Sequence, residues 1–210
     1  MKSSSGSYFP ISSLIRHGAI KTKGGKRFIG QLDLPLSELG INQANRLKEE
    51  LSCVRLNSIF CSDLQRSRQM AEIIAEKHNL RPTVSLSLRE IYLGEWEGRY
   101  FEEIRRKFPQ DFMQRGKDIA NFCPPGGESF SQCSQRVLAK LDELMQRTTG
   151  NILIAGHAGV NRVLLCHMLG MPLENLFRIS QDYGCLNIIG YEKGKYRIKL
   201  LNRQFRIVTL

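Results

Sequence analysis

No apolar run in these 210 residues approaches the roughly 20 that a bilayer-spanning helix requires, so no membrane partner is expected. The opening Met1-Lys2-Ser3-Ser4-Ser5-Gly6-Ser7 lacks the apolar core of a secretory signal and reads as a loose tail over 1–7. Six cysteines (53, 61, 123, 133, 166 and 185) form no Cys-x-x-Cys pair and no metal-ligand spacing. Several stand in apolar company, so buried, reduced thiols in a cytoplasmic protein are expected rather than a disulfide framework. Aspartates do not cluster, which leaves no obvious set of carboxylates for Mg²⁺. Internal repeats and low-complexity stretches are missing, as are a recognition helix, an RNA-binding strand signature and a zinc finger. Nucleic acid is therefore not an expected partner. The glycine pair in Gly24-Gly25-Lys26-Arg27 is not a P-loop, because the spacing glycine is absent and no Ser or Thr follows Lys26. Acidic residues are the scarcer charge, 20 against 31 Lys and Arg, giving a net charge of +11. Such a surface either serves solubility alone or draws in anions such as a small phosphorylated metabolite.

What is present suits one domain over 8–210: 41% hydrophobic residues and 24% charged ones, in alternating strand-like and helix-like segments. Ile11 to Ile15 is an apolar-flanked strand that stops at Arg16-His17-Gly18. Ser37 caps a helix to about Leu51; Asn57 to Cys61 is a strand; Ser62 caps a helix from Asp63 to about His78, with Arg66 in its first turn. Val84, Leu86 and Leu88 alternate as a strand leading to Arg89-Glu90. Residues 99–128 read as an excursion over the site, helical from Phe101 and broken at Pro109. A helix from Ser129 to about Gln146 precedes the apolar strand Ile152 to Ala155, which ends in Gly156-His157. The next helix stops at Gly170, and Leu186–Tyr191 with Tyr196–Leu200 form a hairpin. This alternation predicts an α/β fold, a three-layer αβα sandwich with a mostly parallel central sheet and helices on both faces.

In such a sheet, ligands bind beyond the carboxyl ends of the strands. Arg16 and His17, Arg66, Glu90 and His157 all fall there. Two arginines and two histidines make a pocket for a dianion, and a carboxylic acid beside it can deliver a proton. The chemistry that fits is phosphoryl transfer to a histidine nitrogen followed by hydrolysis, with the protein's own cations neutralising the phosphate.

The ordered motifs carry a resemblance. They are Leu14-Ile15-Arg16-His17-Gly18, Gly30-Gln31-Leu32-Asp33-Leu34-Pro35-Leu36-Ser37, Ser62-Asp63-Leu64-Gln65-Arg66 and Leu88-Arg89-Glu90 with Gly94-Glu95-Trp96-Glu97-Gly98. Gly126-Gly127-Glu128-Ser129 and Gly156-His157 complete the series. In this order they resemble the histidine phosphatase superfamily, with its phosphoglycerate-mutase-like fold, over nearly the whole chain after the tail. The resemblance implies His17 as nucleophile, Arg16 and Arg66 as phosphoryl grips, His157 as a further donor and Glu90 as the acid and base. It implies no metal and no organic cofactor, and it leaves a homodimer open.

Two departures stand out. Ile20 and Lys23 occupy places where the family commonly has Thr or Ser and Asn, so Lys23, Lys26 or Gln31 are the candidates to supply the missing phosphate contact. Ala158 replaces a usual glycine at a place where the pocket uses backbone. Glu95 and Glu97 compete with Glu90 on composition alone, Trp96 reads as core or lid packing, and Glu128 as support for a helix start. After Glu90 the chain runs directly into Leu93-Gly94-Glu95-Trp96, without the longer insertion of the cofactor-dependent mutases, which favours monophosphate hydrolysis; the cationic pocket without an Mg²⁺ ligand cluster makes a metal-independent phosphatase the expectation. Among phosphatases the segments Phe28–Leu36 and Leu173–Phe177 most resemble the α-ribazole phosphatase branch. Phosphoglycerate mutase, a sugar-bisphosphatase and a non-enzymatic phosphate-binding protein are the alternatives.

Overall fold

The computed structural model describes residues 11–22 and 24–205; the expected tail and Lys23 lie outside the described residues. Six strands form one sheet: β1 (Ile11–Arg16), β2 (Ser58–Cys61), β3 (Thr83–Val84), β4 (Ile152–Gly156), β5 (Leu186–Glu192) and β6 (Lys195–Arg203), in the order β3-β2-β4-β1-β5-β6. The first four neighbours run parallel, and β5 and β6 close the other edge as an antiparallel hairpin. Successive strand residues point to opposite faces, and the two faces bury different helices. Ile15, Ile59, Leu153 and Ala155 pack with α1 (Glu38–Leu51) and α2 (Gln65–Ala75). Leu14, Phe60, Ile152 and Ile154 pack with α5 (Phe130–Arg147) and α6 (Ala158–Leu169). Removing each of the larger of these side chains from water stabilises the fold by about 1.5–3 kcal/mol. This is the expected α/β sandwich with a mostly parallel sheet.

Helix boundaries follow local chemistry. Ser37 accepts the Gly40 N–H at the start of α1. Ser129 and Gln132 form a reciprocal capping box at the start of α5. Gly170, with φ 64°, ends α6 in a left-handed turn.

Three expectations are corrected. The strand through Val84, Leu86 and Leu88 stops at Val84 and becomes a short 3₁₀ turn, Leu86–Leu88. Val84 and Leu86 are exposed at the sheet edge and only Leu88 is buried, so the alternation does not mark a half-buried face. The second helix begins at Gln65 rather than Asp63 and ends at Ala75; Ser62 stands two residues before its cap position, Leu64, and its hydroxyl both accepts the Leu64 N–H at 3.3 Å and lies 2.7 Å from His157 Nε2. Past Pro109 the chain resumes as a second helix instead of loosening: α3 (Phe101–Lys107) is followed by α4 (Pro109–Lys117). Proline sits at the first helical position, where its missing N–H would have had no partner.

All six cysteines are free thiols. Cys61, Cys133, Cys166 and Cys185 are buried, whereas Cys53 and Cys123 are exposed. Burial pushes the Cys61 thiol up to about 12 and the Cys166 thiol to about 11. No helix among the described residues is long and apolar enough to cross a membrane.

Candidate active site

Strand register assembles the floor of the site. Arg16 lies opposite Gly156 and Cys61 opposite Ala155, so β1 and β4 end level and β2 ends one residue short of them. The next residue of each strand is His17, His157 and Ser62, and the His17 N–H continues the ladder to the Gly156 carbonyl at 3.0 Å. The His17 and His157 rings meet edge to face with centroids 5.2 Å apart. Gly18 admits a neighbouring backbone rather than a ligand: a Cβ there would come within 2.5 Å of the Gly40 carbonyl oxygen. That contact brings the N-terminus of α1 against the strand end.

His17 Nδ1 lies 2.8 Å from the Gly18 carbonyl oxygen, which can only accept. The proton is therefore on Nδ1, and Nε2 keeps its lone pair. Burial first, then Arg66 and Arg16, hold the imidazole well below its ordinary pKa, so it is neutral at pH 7. His157 is fully buried and also held well below the ordinary range, by burial and then by Arg66. Its Nε2 is 2.7 Å from Ser62 Oγ, and its Nδ1 has no hydrogen-bond partner.

Arg66, second residue of α2, is 1% exposed. Its Nη1 and Nη2 donate to the Leu32 and Gly30 carbonyls at 2.6 and 2.7 Å, fixing the guanidinium under the loop between β1 and α1. Arg16 donates to the Gln181 carbonyl at 2.6 Å and lies over the Tyr183 ring at 3.8 Å. Beneath it Gln181, Asn187 and Asn161 join in a buried amide network, with Asn187 Nδ2 donating to the Leu14 carbonyl.

Glu90 follows the 3₁₀ turn and reaches the N-terminus of α6. Its Oε2 accepts the Gly159 N–H at 3.0 Å; its Oε1 accepts those of Ile91 and Val160 at 2.9 and 3.2 Å. Helix N-termini favour a negative charge. A Cβ on Gly159 would stand 2.5 Å from Glu90 Oε1, so that glycine makes room for the carboxylate.

Arg16, His17, Arg66, Glu90 and Ala158 line one cavity of about 360 Å³; His157 stands against His17 without lining it. Gln31 does not reach the cavity. Its amide donates to the Glu90 carbonyl at 2.9 Å, and its backbone N–H to Glu97 Oε1, so it braces Glu90. Lys26 lines the cavity, with Nζ over the Phe101 ring, and Ile20 is a buried part of the wall. Glu97 is spent on the Gln31 and Leu93 N–H groups and Glu95 is exposed. Trp96 is 1% exposed core.

Glu128 departs from the expected helix-start role: it pairs with Arg136 and accepts the Tyr92 N–H. Arg136 in turn donates to the carbonyls of Ser87, Arg89 and Glu90, clamping the segment that carries Glu90. A charge one turn from Cys133 on the buried face of α5 was the sequence signal for Arg136. For Ser62 the signal was its place directly after a buried strand.

A neutral histidine backed by a second one, two anchored arginines and a carboxylate on a helix N-terminus are groups whose chemistry suits the binding of an anion. Residues 13–204 match the family model of the histidine phosphatase superfamily (branch 1). The chain belongs to that superfamily. Similar proteins include the adenosylcobalamin/alpha-ribazole phosphatase of Escherichia coli (strain K12), 29% identical over 192 residues, covering 90% of this chain and 94% of the relative. Phosphoserine phosphatase 1 of Hydrogenobacter thermophilus is 32% identical over 190 residues, covering 90% of each. The crystal structure of the alpha-ribazole phosphatase from Shigella flexneri superposes with a TM-score of 0.84 at 28% identity, over 95% of this chain and all of that one.

Proposed function

We propose that this superfamily member hydrolyses phosphomonoesters through a phosphohistidine on His17, without a metal ion. The observation that carries the reading is the His17 Nδ1–H bond to the Gly18 carbonyl, which leaves Nε2 as a neutral nucleophile in a cavity lined by Arg16 and Arg66. Nε2 attacks phosphorus, the ester P–O bond breaks, and Glu90, entering this step as the protonated acid, gives its proton to the departing alcohol oxygen. Water then attacks phosphorus as Glu90 takes its proton, the P–N bond breaks, and phosphate leaves. Arg16 and Arg66 hold the phosphoryl oxygens throughout. When the Ser62 hydroxyl donates to His157 Nε2, the unpartnered Nδ1 carries the proton, and His157 supports the His17 ring edge to face instead of lining the cavity. The segment 99–128, with α3 and α4, serves as a lid-like wall within a single domain.

A narrower reading takes α-ribazole 5′-phosphate as substrate. It is supported by the likeness to α-ribazole phosphatases and by the Phe28, Phe101, Phe130 and Phe177 side chains, which give the outer cavity an apolar wall for a planar base. The test of the general reading is hydrolysis of p-nitrophenyl phosphate with EDTA present. Turnover is expected to survive the chelator; loss with EDTA and recovery with a divalent cation contradicts metal independence, and no turnover under either condition contradicts a hydrolase.

A further inference from the structure

The same cavity holds more positive charge than one phosphate needs. Among the described residues six cationic side chains line it (Arg16, Lys26, Arg27, Arg66, Arg115 and Arg162) against the single carboxylate of Glu90. Arg16 and Arg66 belong to the floor. Arg115, from the last turn of α4, and Arg162, one turn beyond Ala158 on α6, belong to the outer wall. Their guanidinium carbons lie 5.7 and 5.2 Å from the centroid of one ring, Phe177, and Arg115 also lies 5.5 Å from that of Phe28.

A ring face attracts a guanidinium without neutralising it, so the charge stays available to an anion. Arg162 spends only Nε, on the Ile179 carbonyl at 2.8 Å. Neither Arg115 nor Arg162 has an ion-pair partner among the described residues. Burial pushes both guanidinium pKa values down, as it does for charges withdrawn from water. A partly buried charge without a counter-ion is unfavourable unless a ligand supplies one.

We infer that Arg115 and Arg162 form a second anion subsite, selecting phosphomonoesters whose alcohol portion carries another negative group, a carboxylate or a further phosphate. The inference rests on the phosphomonoesterase reading and names its substrate class. It sets phosphorylated hydroxy acids and bisphosphates ahead of esters with uncharged leaving groups, α-ribazole 5′-phosphate included.

The test measures binding, so it does not depend on turnover. Calorimetric titrations compare propylphosphonate with its carboxylate-bearing analogue, 3-phosphonopropionate, and with propane-1,3-bisphosphonate. The wild-type chain should bind at least one of the two doubly anionic ligands about tenfold or more tightly than propylphosphonate, the worth of one charge-assisted contact of roughly 1.4 kcal/mol. Which of the two is preferred tells carboxylate from phosphate. Arg115→Gln with Arg162→Gln should bring that ratio close to one, and the Lys substitutions should restore part of it. Inorganic phosphate binding in each variant reports whether the floor is still folded. Equal binding of all three ligands by the wild type, or a ratio that survives in the double Gln variant, overturns the subsite. Preferential hydrolysis of α-ribazole 5′-phosphate over a phosphorylated hydroxy acid overturns it as well. A wild-type preference that is lost in the double Gln variant, with no hydrolysis of any ester, would count against the phosphatase reading alone.

Discussion

The floor of the cavity and its outer wall are built by different means. On the floor, Arg66, His17 and His157 are nearly or wholly buried, and their positions follow from strand register and carbonyl hydrogen bonds. On the wall, α4 has no buried residue, Met113 and Phe177 are more than half exposed, and Arg115 is held by ring faces. A group fixed by the sheet cannot move without disturbing the ladder, whereas a wall helix with little buried area can change at small cost to the fold. On this reading the floor does the chemistry and the wall chooses the substrate.

The comparison breaks most visibly at the nucleophile. His17→Ala should lower turnover of every phosphomonoester on the order of 10⁴–10⁶-fold, the scale seen when a covalent nucleophile is removed. Initial rates with an aryl and an alkyl phosphate check this. Glu90→Gln should split the two substrates. Alkyl phosphate hydrolysis should fall roughly 10²–10⁴-fold, and phosphorylation by the aryl ester, whose leaving group needs little protonation, should fall much less. Equal losses would remove Glu90 from the acid role.

Stability should separate the regions too. Leu164→Ala, in the fully buried face of α6, should lower unfolding free energy by about 2–5 kcal/mol. Met113→Ala on α4 should stay within about 0.5 kcal/mol. Urea titrations read both, and similar losses would show that the wall is as integral as the floor. Gly159→Ala places a methyl group against Glu90 Oε1 and should cut alkyl phosphate hydrolysis about tenfold, roughly one lost charge-assisted hydrogen bond. The aryl-ester phosphorylation rate should change less.

The smallest effect concerns pH. His17 and His157 stay neutral in the folded chain to well below 6.5, chiefly through burial. As pH falls below about 6.5 the unfolded chain binds protons that the folded chain does not. Stability should therefore decline toward acid by at most about 1.4 kcal/mol per pH unit for each histidine, with no such loss above pH 7. His157→Asn should flatten that slope; an unchanged slope would assign the acid sensitivity to other groups.

Much of this was legible in the sequence where a single periodicity or motif decides the outcome. The apolar stretches that become β1 and β4, the Ser37 and Ser129 caps and the Gly170 stop carry their own local chemistry. Arg16, His17 and His157 could be gathered at one edge because parallel strands align their ends, whereas Glu90 arrives there through the 3₁₀ turn beyond Val84. What escaped depends on partners far along the chain. Ser62 has the local look of a cap, yet its hydroxyl bonds a histidine 95 residues away. Arg136 and Gln31 brace Glu90 through backbone carbonyls, which leave no trace in a motif. Val84 and Leu86 alternate correctly for a strand, but at the sheet edge nothing covers them.

The central claim is that phosphate passes through His17. Mixing the chain with an activated aryl phosphate, quenching in alkali within milliseconds and sequencing the peptides by mass spectrometry tests it directly, because phosphohistidine survives base. A single phosphoryl group on His17, absent from His17→Ala and enriched in Glu90→Gln, is the predicted result. Steady turnover with no phosphorylated peptide at any time, or with the label on another residue, would contradict it.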